Sequence, residues 1–546
     1  MKGAELLVRC LEHEGVRLLF GLPGEETLAL TDALLDSGIR FVACRHEQGA
    51  AFMADVHGRL TGRAGVCLGT LGPGATNLAT GIGDANLDRA PVVAFTGQAG
   101  RDRIHKESHQ YVNVVDMFRP LTKWNARLEL ASVIPEAVRK AFKVAEAEKP
   151  GACHLELPED VADEMVPEDS APLSTERPRR PSPDRPALRR AAELIDRARR
   201  PLIFAGNGVV RGQASQALRE FAGRTGIPIA NTFMAKGCVP WDSELSLGTI
   251  GLQMRDAISC GFDRADLVIA AGYDPVEYAP RLWNADRKKT IVHIDFTPAE
   301  VDEHYQPAVE VVADVREALD LLRDVVSVRR DLAPTRALHE WILAELEGGS
   351  TDRAFPVTPQ RALHDLRQVL GPEDIVVSDV GAHKLWVARL FQALEPNTVI
   401  ISNGFAAMGI GLPGAIAAKL LHPERRVVTV TGDGGLLMNI QELETAVRLD
   451  LGIVILLFRD DAYGVIRWKQ LTRYGRESGV AFGNPDFVAL ARSFGARGER
   501  VESADELAPA LEAGFAGRGP CLIDVPIDYR ENLKLTERLG QLVCPI

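Results

Sequence analysis

The feature that most constrains the fold of this chain is an alternation of short apolar runs with helical segments, repeated in three stretches. Runs such as VRLLFG (16–21), DLVIAAG (266–272) and RVVTVTGDG (426–434) have the length of buried strands, and amphipathic segments separate such runs. Strands joined by helical crossovers pair in parallel, and helices then cover both faces of the sheet. The sequence therefore predicts an α/β fold with three doubly wound parallel-sheet domains.

The alternation is interrupted by a polar, proline-rich segment at 174–186, which has no apolar periodicity and is typical of a linker. With 546 residues the chain is also too long for a single hydrophobic core. We predict a first domain over 1–170, a linker over 171–187, a second domain over 188–335 and a third over 350–546.

Charge and cysteine content exclude several classes of protein. The formal net charge of −12 disfavours non-specific nucleic-acid binding, which requires a basic face. The longest apolar runs have the length of strands, and the charged N-terminal segment lacks the apolar stretch of a signal peptide. The eight cysteines are irregularly spaced without a CxxC pair, which favours reduced thiols over a disulfide framework or a zinc site. We therefore expect a cytoplasmic protein that binds neither nucleic acid nor a membrane.

One apolar run ends in an acidic pair: residues 453–458 lead into Arg459, Asp460 and Asp461. Adjacent carboxylates at the end of a core strand are costly to desolvate unless a positive group lies beside them. Three groups can supply that charge: the Arg459 guanidinium, the N-terminus of a neighbouring helix, or a metal ion.

A second acidic position lies at the end of the preceding strand, where the glycine-rich turn 432–435 contains Asp433. The helical segment 439–450 joins the two strands, and such a crossover brings Asp433 and Asp460 to the same edge of a parallel sheet. This arrangement suits Mg²⁺ with a diphosphate, because Mg²⁺ prefers carboxylate, phosphate and water oxygens. The alternative is a tight turn with aspartates that cap helices.

The pattern resembles the fingerprint of the thiamine diphosphate-dependent enzymes, in which a GDG turn is followed, after the next strand, by a short polar cluster. The family places two asparagines in this cluster, whereas this chain has Arg459 and Asp460. The resemblance implies that Asp433, Asp460 and the backbone carbonyl of Ala462 are Mg²⁺ ligands. Arg459 is a departure from the family, and we expect its guanidinium to point away from the metal, towards Asp461 or another acid.

Two further segments support the resemblance. The segment RHEQGAAFMAD (45–55) resembles the one that carries the family's catalytic glutamate, here Glu47, which hydrogen-bonds the aminopyrimidine ring of the cofactor and thereby activates it. From the residues alone, Glu47 can equally cap a helix or pair with Arg45. The segment 402–420 resembles the one whose large apolar residue, here Met408, holds the cofactor in a bent shape. A core methionine is the alternative.

The similarity covers essentially the whole chain, in the order pyrimidine-binding, central and diphosphate-binding domain. It includes the glycine-rich segment 71–85 of the first domain. The positions that it implies for thiamine diphosphate binding are Pro23, Gly24, Glu47, Thr70, Gly72, Asn77, Asn403, Met408, Gly432, Asp433, Gly434, Gly435 and Tyr463.

Within the family, the chain is most similar to the acetolactate synthases, especially the catabolic, flavin-independent type. Residues 272–284 resemble the central-domain signature of that type, whereas flavin-dependent members carry an Arg-Phe-Asp-Asp type of sequence there. The resemblance implies conversion of two pyruvate molecules to 2-acetolactate and CO₂ without FAD. It implies that Gln110 is a catalytic residue that contacts substrate and that Arg255 binds the acceptor carboxylate. It also implies a homodimer or homotetramer with active sites at subunit interfaces.

Other functions stay open at the level of sequence. A related carboligase or lyase for another 2-oxo acid, an aldehyde or an acyl-CoA uses the same machinery, but a glyoxylate carboligase is disfavoured because Glu47 is present. Gln110 can be a loop residue without a role. The glycine-rich segment 204–212 suggests a nucleotide-dependent oxidoreductase, although it lacks the full dinucleotide-binding spacing. Arg459 alone favours a non-catalytic homologue.

Overall fold

The computed structural model describes residues 1–176, 178–251, 255–346 and 349–544. It contains three six-stranded parallel sheets with helices between the strands. The predicted fold class, three doubly wound parallel sheets, is confirmed. None of the helices in the described ranges combines the length and the apolar character that a membrane span requires.

The first sheet is built from residues near the N-terminus. Its strands are β1 (Leu18–Gly21), β2 (Arg40–Ala43), β3 (Gly65–Gly69), β4 (Val92–Gln98), β5 (Trp124–Arg127) and β6 (Ala152–Pro158). The helices of this part are α1 (Gly3–His13), α2 (Leu28–Leu35), α3 (Glu47–Thr61), α4 (Pro73–Leu87), α5 (Val114–Phe118), α6 (Ile134–Glu146) and α7 (Glu159–Asp163). The strand order is β2-β1-β3-β4-β6-β5. Val66, Cys67 and Leu68 of β3 have no exposed surface, because helices cover both faces of this strand.

The second sheet follows the proline-rich segment. Its strands are β7 (Pro201–Ala205), β8 (Ile229–Asn231), β9 (Ser246–Thr249), β10 (Leu267–Ala271), β11 (Thr290–Asp295) and β12 (Val309–Val312), in the order β12-β11-β10-β7-β8-β9. The helices are α8 (Arg185–Arg197), α9 (Asn207–Arg211), α10 (Ser215–Thr225), α11 (Ser259–Arg264), α12 (Val315–Val325) and α13 (Ala333–Leu346).

The third sheet carries the acidic pair found in the sequence. Its strands are β13 (Ile375–Ser378), β14 (Val399–Ile401), β15 (Val427–Gly432), β16 (Ile453–Arg459), β17 (Arg497–Arg500) and β18 (Cys521–Pro526), in the order β14-β13-β15-β16-β18-β17. The helices are α14 (Pro359–Val369), α15 (Ala382–Leu390), α16 (Gly411–Leu421), α17 (Asp433–Met438), α18 (Glu442–Arg448), α19 (Gly464–Tyr474), α20 (Phe487–Ser493), α21 (Leu507–Ala516) and α22 (Glu531–Gly540).

The chain forms two compact units. The first unit comprises Met1–Arg179, Gly404–Pro423 and Leu436–Leu451, so it holds the first sheet together with α16 and α18. Within this unit α16 packs on α3, and the N-terminus of α3 is where Glu47 lies. The second unit comprises the remaining described residues and holds the second and third sheets.

The cysteines differ from the sequence-based expectation in one pair. A disulfide joins Cys260 of α11 to Cys544 near the C-terminus, with a Cα–Cα distance of 5.7 Å. The expectation of reduced thiols is therefore wrong for this pair. The pairing was not predictable, because the two cysteines are 284 positions apart and no local pattern indicates that they are close in space. The other six cysteines are buried and free.

Candidate active site

The carboxyl edge of the third sheet brings together the acidic residues identified in the sequence. Strands β15 and β16 are neighbours, and Gly432 pairs with Phe458 at their carboxyl ends. The residues that follow, Asp433 and Asp460, therefore meet at this edge, where the Asp460 backbone N–H donates to Asp433 Oδ2 at 3.3 Å. The structure thus brings Asp433 and Asp460 to the same edge of the sheet, as predicted from the crossover between their strands.

The buried Asp433 carboxylate accepts several hydrogen bonds at this edge. Its Oδ2 accepts from the Asp461 backbone N–H at 2.7 Å and from Asn484 Nδ2 at 2.8 Å, and its Oδ1 accepts from the Gly434 N–H at 2.9 Å. Asn484 also donates to Asp461 Oδ1 at 2.7 Å. Asn484 is not among the residues predicted from the sequence. It lies in a loop 51 positions after Asp433, and this loop has no periodic pattern that would indicate the contact.

The electrostatics of this edge favour a cation. Burial, followed by the negative charge of Asp433, raises the pKa of Asp460 to about 8. Burial also raises the pKa of Asp433, although its hydrogen bonds oppose the shift. A divalent ion between the two carboxylates removes their repulsion, so the donor set fits a hard cation such as Mg²⁺.

Ala462 presents its backbone at the same edge. It is buried and forms an isolated antiparallel bridge with Ala481. The two hydrogen bonds of this bridge run from Tyr463 N–H to the Val480 carbonyl and from Phe482 N–H to the Asp461 carbonyl. The carbonyl of Ala462 is the acceptor of neither, which is compatible with a role as a metal ligand.

The glycine turn 432–435 packs closely against a buried histidine and a buried carboxylate. A Cβ atom on Gly435 would lie 3.0 Å from the Asp379 carboxylate, and one on Gly432 would lie 3.2 Å from His383 Nδ1. Burial lowers the pKa of His383 to about 3, so the ring is neutral, and its buried Nε2 has no hydrogen-bond partner among the residues that the structure describes. The Asp379 backbone carbonyl accepts a hydrogen bond from the His383 ring, so the neutral imidazole presents Nε2 as an acceptor. The backbone N–H groups of the glycine turn, rather than this nitrogen, suit a diphosphate group.

His383 was not among the predicted site residues. It lies in the first turn of α15, directly beyond the end of β13, which is adjacent to β15 in the sheet. The signal in the sequence is the glycine at 381 after an apolar strand, the same type of turn that pointed to Asp433.

Arg459 points to acids, as expected from the sequence. Its Nε donates to Asp524 Oδ1 at 2.8 Å, and its Nη1 lies 3.5 Å from Asp461 Oδ2. Arg500 Nε donates to the other oxygen of the fully buried Asp524 at 2.9 Å. Arg459 therefore compensates Asp524 and Asp461 rather than Asp433 or Asp460.

Two other predicted positions of the second unit have different surroundings. Asn403 Nδ2 donates to the backbone carbonyl of Glu277, in the loop after β10, at 2.8 Å. Tyr463 precedes α19, and its ring contacts that of Phe482 edge-on, with 4.9 Å between the ring centroids. Of the surface of Tyr463, 40% remains exposed. Tyr463 lies beside the acidic edge, whereas the amide of Asn403 is held by the central domain.

Arg255 is not brought to the other predicted residues by any of its described contacts. Its half-exposed guanidinium forms an ion pair with Asp263 of α11 and lies 3.2 Å from Cys544 Sγ. An arginine already paired with a carboxylate is poorly placed to bind the carboxylate of a substrate. The substrate role of Arg255 receives no support from this geometry.

In the first unit, Glu47 is a buried carboxylate with few partners. It is the first residue of α3, and Asn77 Nδ2 of α4 donates to its Oε2 at 3.0 Å. The capping acceptor of α3 is instead His46, whose Nδ1 accepts the Gln48 N–H at 3.1 Å. The alternative role of Glu47 as a helix cap is therefore not observed, and the side chain of Asn77 contacts its carboxylate.

The other predicted positions of the first domain lie on segments that contact one another. Pro23 and Gly24 lead into a turn in which Thr70 Oγ1 donates to Glu26 Oε2 at 2.8 Å. Gly72 begins the turn before α4 with φ +48°, and a Cβ atom there would collide with the carbonyl of Gln110. The segments that carry these residues thus lie close together.

Gln110 itself has φ +56°, and its side chain is exposed. The backbone of Gln110 packs closely against the Gly72 turn, and this contact does not involve the side-chain amide of Gln110. The side chain is therefore available to a ligand.

Met408 lies in a loop that buried carboxylates hold in place. Asp88 Oδ1 accepts the Gly404 N–H at 2.5 Å, and Asp84 Oδ1 accepts the Ala407 N–H at 3.2 Å. Arg59 of α3 bridges both aspartates, at 2.8 and 3.1 Å. The half-buried Met408 is thus on a fixed backbone rather than on a free loop.

Models of the thiamine pyrophosphate enzymes match all three parts of the chain. The N-terminal TPP binding domain matches residues 1–117, the central domain 188–322, and the C-terminal TPP binding domain 379–525. These matches follow the order of the three sheets.

Curated relatives are similar over almost the whole chain. Acetolactate synthase of Bacillus subtilis (strain 168) is 39% identical, with 99% of this chain and 97% of the relative covered. The catabolic acetolactate synthase of Raoultella terrigena is 39% identical with the same coverage, 99% and 97%. The acetolactate synthase isozyme 2 large subunit of Escherichia coli (strain K12) is 34% identical over 98% of this chain and 97% of the relative. The chain therefore belongs to the acetolactate synthase family of thiamine diphosphate-dependent enzymes.

Proposed function

We propose that this enzyme converts two pyruvate molecules to 2-acetolactate and CO₂, with Mg²⁺ as the second cofactor and without FAD. The observation that carries the proposal is the similarity to acetolactate synthases, one of them catabolic, over almost the whole chain. The acidic edge of the third sheet and the buried Glu47 supply the chemistry that such a reaction needs.

The second unit would hold the diphosphate and its metal. Asp433, Asp460 and the carbonyl of Ala462 are the proposed Mg²⁺ ligands. The backbone N–H of Gly435, in the first turn of α17, is the proposed donor to phosphate oxygens. Thiamine diphosphate, once bound, supplies an electron sink that allows a 2-oxo acid to lose CO₂.

The first unit would supply the activating acid and the substrate contacts. Glu47 is proposed to hold a proton on a ring nitrogen of the aminopyrimidine, and the 3.0 Å hydrogen bond from Asn77 to its carboxylate supports a fixed orientation. Gln110 is proposed to hydrogen-bond substrate oxygens, and Met408 to support the bent cofactor. Pro23, Gly24, Thr70, Gly72, Asn403 and Tyr463 are proposed as further cofactor contacts.

The proposed independence from flavin is supported by the second sheet. The buried Glu277 carboxylate accepts the Asn207 N–H at 3.1 and 3.0 Å, the Thr232 hydroxyl at 2.5 Å and the Asp274 N–H at 3.2 Å. These donors follow β7, β8 and β10, at the edge where open α/β sheets bind nucleotides. The Glu277 carboxylate thus accepts hydrogen bonds from groups that would otherwise be donors to the phosphate of a dinucleotide.

We also propose a homodimer or homotetramer with active sites at subunit interfaces, in the cytoplasm. Tyr463 and Ile466, beside the acidic edge, expose 40% and 48% of their surface, which supports a covering partner. Six cysteines are free, as is usual in a reducing compartment, whereas the Cys260–Cys544 bridge is of a kind that is rare there. The proposed domains are 1–170, 188–335 and 350–546, and the described residues of the linker up to 184 form neither helix nor strand.

The test is product analysis with purified, flavin-free protein supplied with thiamine diphosphate, Mg²⁺ and one donor at a time. We expect pyruvate to give CO₂ and 2-acetolactate. Turnover only with another 2-oxo acid, an aldehyde or an acyl-CoA would assign a related carboligase or lyase. A requirement for added FAD would contradict the role given to Glu277.

A further inference from the structure

The turn that precedes the catalytic glutamate is held by a carboxylate from a distant part of the chain. Glu442, the first residue of α18, is fully buried within the first unit. Its Oε1 accepts the backbone N–H groups of both Arg45 and His46 at 3.0 Å. These residues connect β2 to α3, and Glu47 follows them directly.

The position of the Glu442 carboxylate is itself fixed from two sides. Thr445 Oγ1, one turn further along α18, donates to Glu442 Oε2 at 2.7 Å. Gly49 lets the carboxylate approach α3, because a Cβ atom there would lie 2.6 Å from Oε1. The carboxylate therefore supplies the acceptor for two partly buried N–H groups of a strand-to-helix turn.

We propose that Glu442 is a positioning residue for Glu47: by accepting both N–H groups it fixes the backbone from which the Glu47 carboxyl group projects. The proposal rests on the catalytic role proposed for Glu47. Glu442 does not act on the cofactor itself. Its effect is on alignment, and a displacement of a catalytic group by about 1 Å can cost roughly 10²-fold in rate.

The test compares Glu442→Ala, Glu442→Gln and a control on the same helix, Glu444→Ala, which removes the partly exposed partner of Arg448. Amide hydrogen exchange of the cofactor-free proteins is measured by mass spectrometry over residues 44–49. We expect Glu442→Ala to lose protection at the two amides, while Glu442→Gln keeps most of it because the amide oxygen can still accept. Equal protection in all proteins would overturn the proposal.

A second readout follows the exchange of the thiazolium C2 proton of bound thiamine diphosphate, which requires no substrate. We expect Glu442→Ala to slow this exchange by about 10-fold or more, with much smaller changes in cofactor affinity. Gly49→Ala displaces the Glu442 carboxylate without removing it, so this variant should also slow the exchange of the C2 proton. It provides the test if Glu442→Ala does not fold. Normal exchange in folded Glu442→Ala or in Gly49→Ala would refute the positioning role.

Glu47→Gln is measured in parallel to separate this proposal from the proposed function. If Glu47→Gln exchanges the C2 proton at the normal rate, the role of Glu47 itself fails. If Glu47→Gln is slow while Glu442→Ala is normal, the role of Glu47 stands and that of Glu442 fails.

Discussion

At the scale of single residues, the acidic edge depends on how Asp433 and Asp460 share their surroundings. Asp433 takes the hydrogen bonds of the turn, whereas the pKa of Asp460 is raised to about 8 by burial and by its neighbour's charge. The two carboxylates are thus unequal: Asp433 is held by hydrogen bonds, whereas the charged form of Asp460 is opposed by burial and by its neighbour, which supports the proposed Mg²⁺ site.

The variant Asp460→Asn tests this division. It keeps an oxygen ligand but removes one charge, so we expect Mg²⁺ affinity to fall by roughly one order of magnitude. The metal-free protein should become more stable because the repulsion is lost. Mg²⁺ titrations of cofactor binding and thermal unfolding without metal measure the two effects. Asp433→Ala, by comparison, should abolish Mg²⁺-dependent cofactor binding, and retention of that binding would exclude the proposed metal site.

Arg459 offers a second test at this scale. Replacement by asparagine restores the residue usual in the family and removes one of two guanidinium partners of the buried Asp524. We expect a loss of about 2 kcal/mol in the free energy of unfolding, the size of one charged hydrogen bond, with unchanged Mg²⁺ affinity. Chemical denaturation measures the first quantity. A fall in Mg²⁺ affinity as large as that of Asp460→Asn would instead place Arg459 in the metal site.

Single residues also show what the sequence could predict of the site. Asp433 and Asp460 are predicted from local patterns, because strand ends and glycine turns mark the edge where ligands bind, whereas Glu47 is identified from the resemblance of its segment to a family. Asn484 and Glu442 reach the site from distant segments through one side chain each, and nothing in their local sequence indicates the acceptor or donor that they meet.

At the scale of elements, the crossover between β15 and β16 was predicted as helical over 439–450, whereas α18 covers only Glu442–Arg448. Residues 439–441 form turns instead, with i→i+3 hydrogen bonds from the Asn439 N–H to the Leu436 carbonyl and from the Glu442 N–H to the Asn439 carbonyl. The Asn439 side chain donates to the carbonyl of Gly409, in the loop of Met408, at 2.8 Å, and such tertiary contacts are not visible in the periodicity. Strand positions were predicted better, because buried parallel strands are marked by apolar runs that tertiary contacts do not interrupt.

A buried lysine connects elements of the second and third sheets within the second unit. Lys236, after β8, donates through Nζ to the Ala388 carbonyl of α15 at 2.9 Å. Burial lowers the pKa of Lys236 from 10.5 to about 7. Between these values the unfolded chain binds more protons than the folded one, so the free energy of unfolding should rise with pH.

In the variant Lys236→Met, the free energy of unfolding should rise less steeply with pH, because the contribution of Lys236 is removed. Denaturation of wild type and variant at pH values from 7 to about 10 measures it. The control is Lys288→Met, because Lys288 is exposed and should leave the slope unchanged. Identical slopes for wild type and Lys236→Met would mean that Lys236 is solvated in solution.

At the scale of the whole molecule, the alternation of strands and helices was sufficient to predict three parallel sheets, since each crossover is local in the sequence. The disulfide was not predictable, because Cys260 and Cys544 are 284 positions apart. How subunits assemble is likewise a property of surfaces drawn from the whole chain rather than of any one pattern.

The disulfide gives a prediction for the whole chain. Thiol titration of protein denatured without reductant should count the six free cysteines rather than all eight. Reductant should lower the stability of the wild type by about 2–4 kcal/mol, because the closed loop restricts the unfolded chain. The variant Cys544→Ser should be insensitive to reductant. Eight titratable thiols would show that the bridge does not form in solution.

The central claim is that Glu47 activates thiamine diphosphate in an enzyme that joins two pyruvate molecules. The most direct measurement is 2-acetolactate formation by Glu47→Gln and wild type, with cofactor affinity determined for both. We predict near-normal affinity and a loss of turnover of roughly 10²–10⁴-fold, the usual contribution of a general acid or base. Turnover close to that of the wild type would contradict the account.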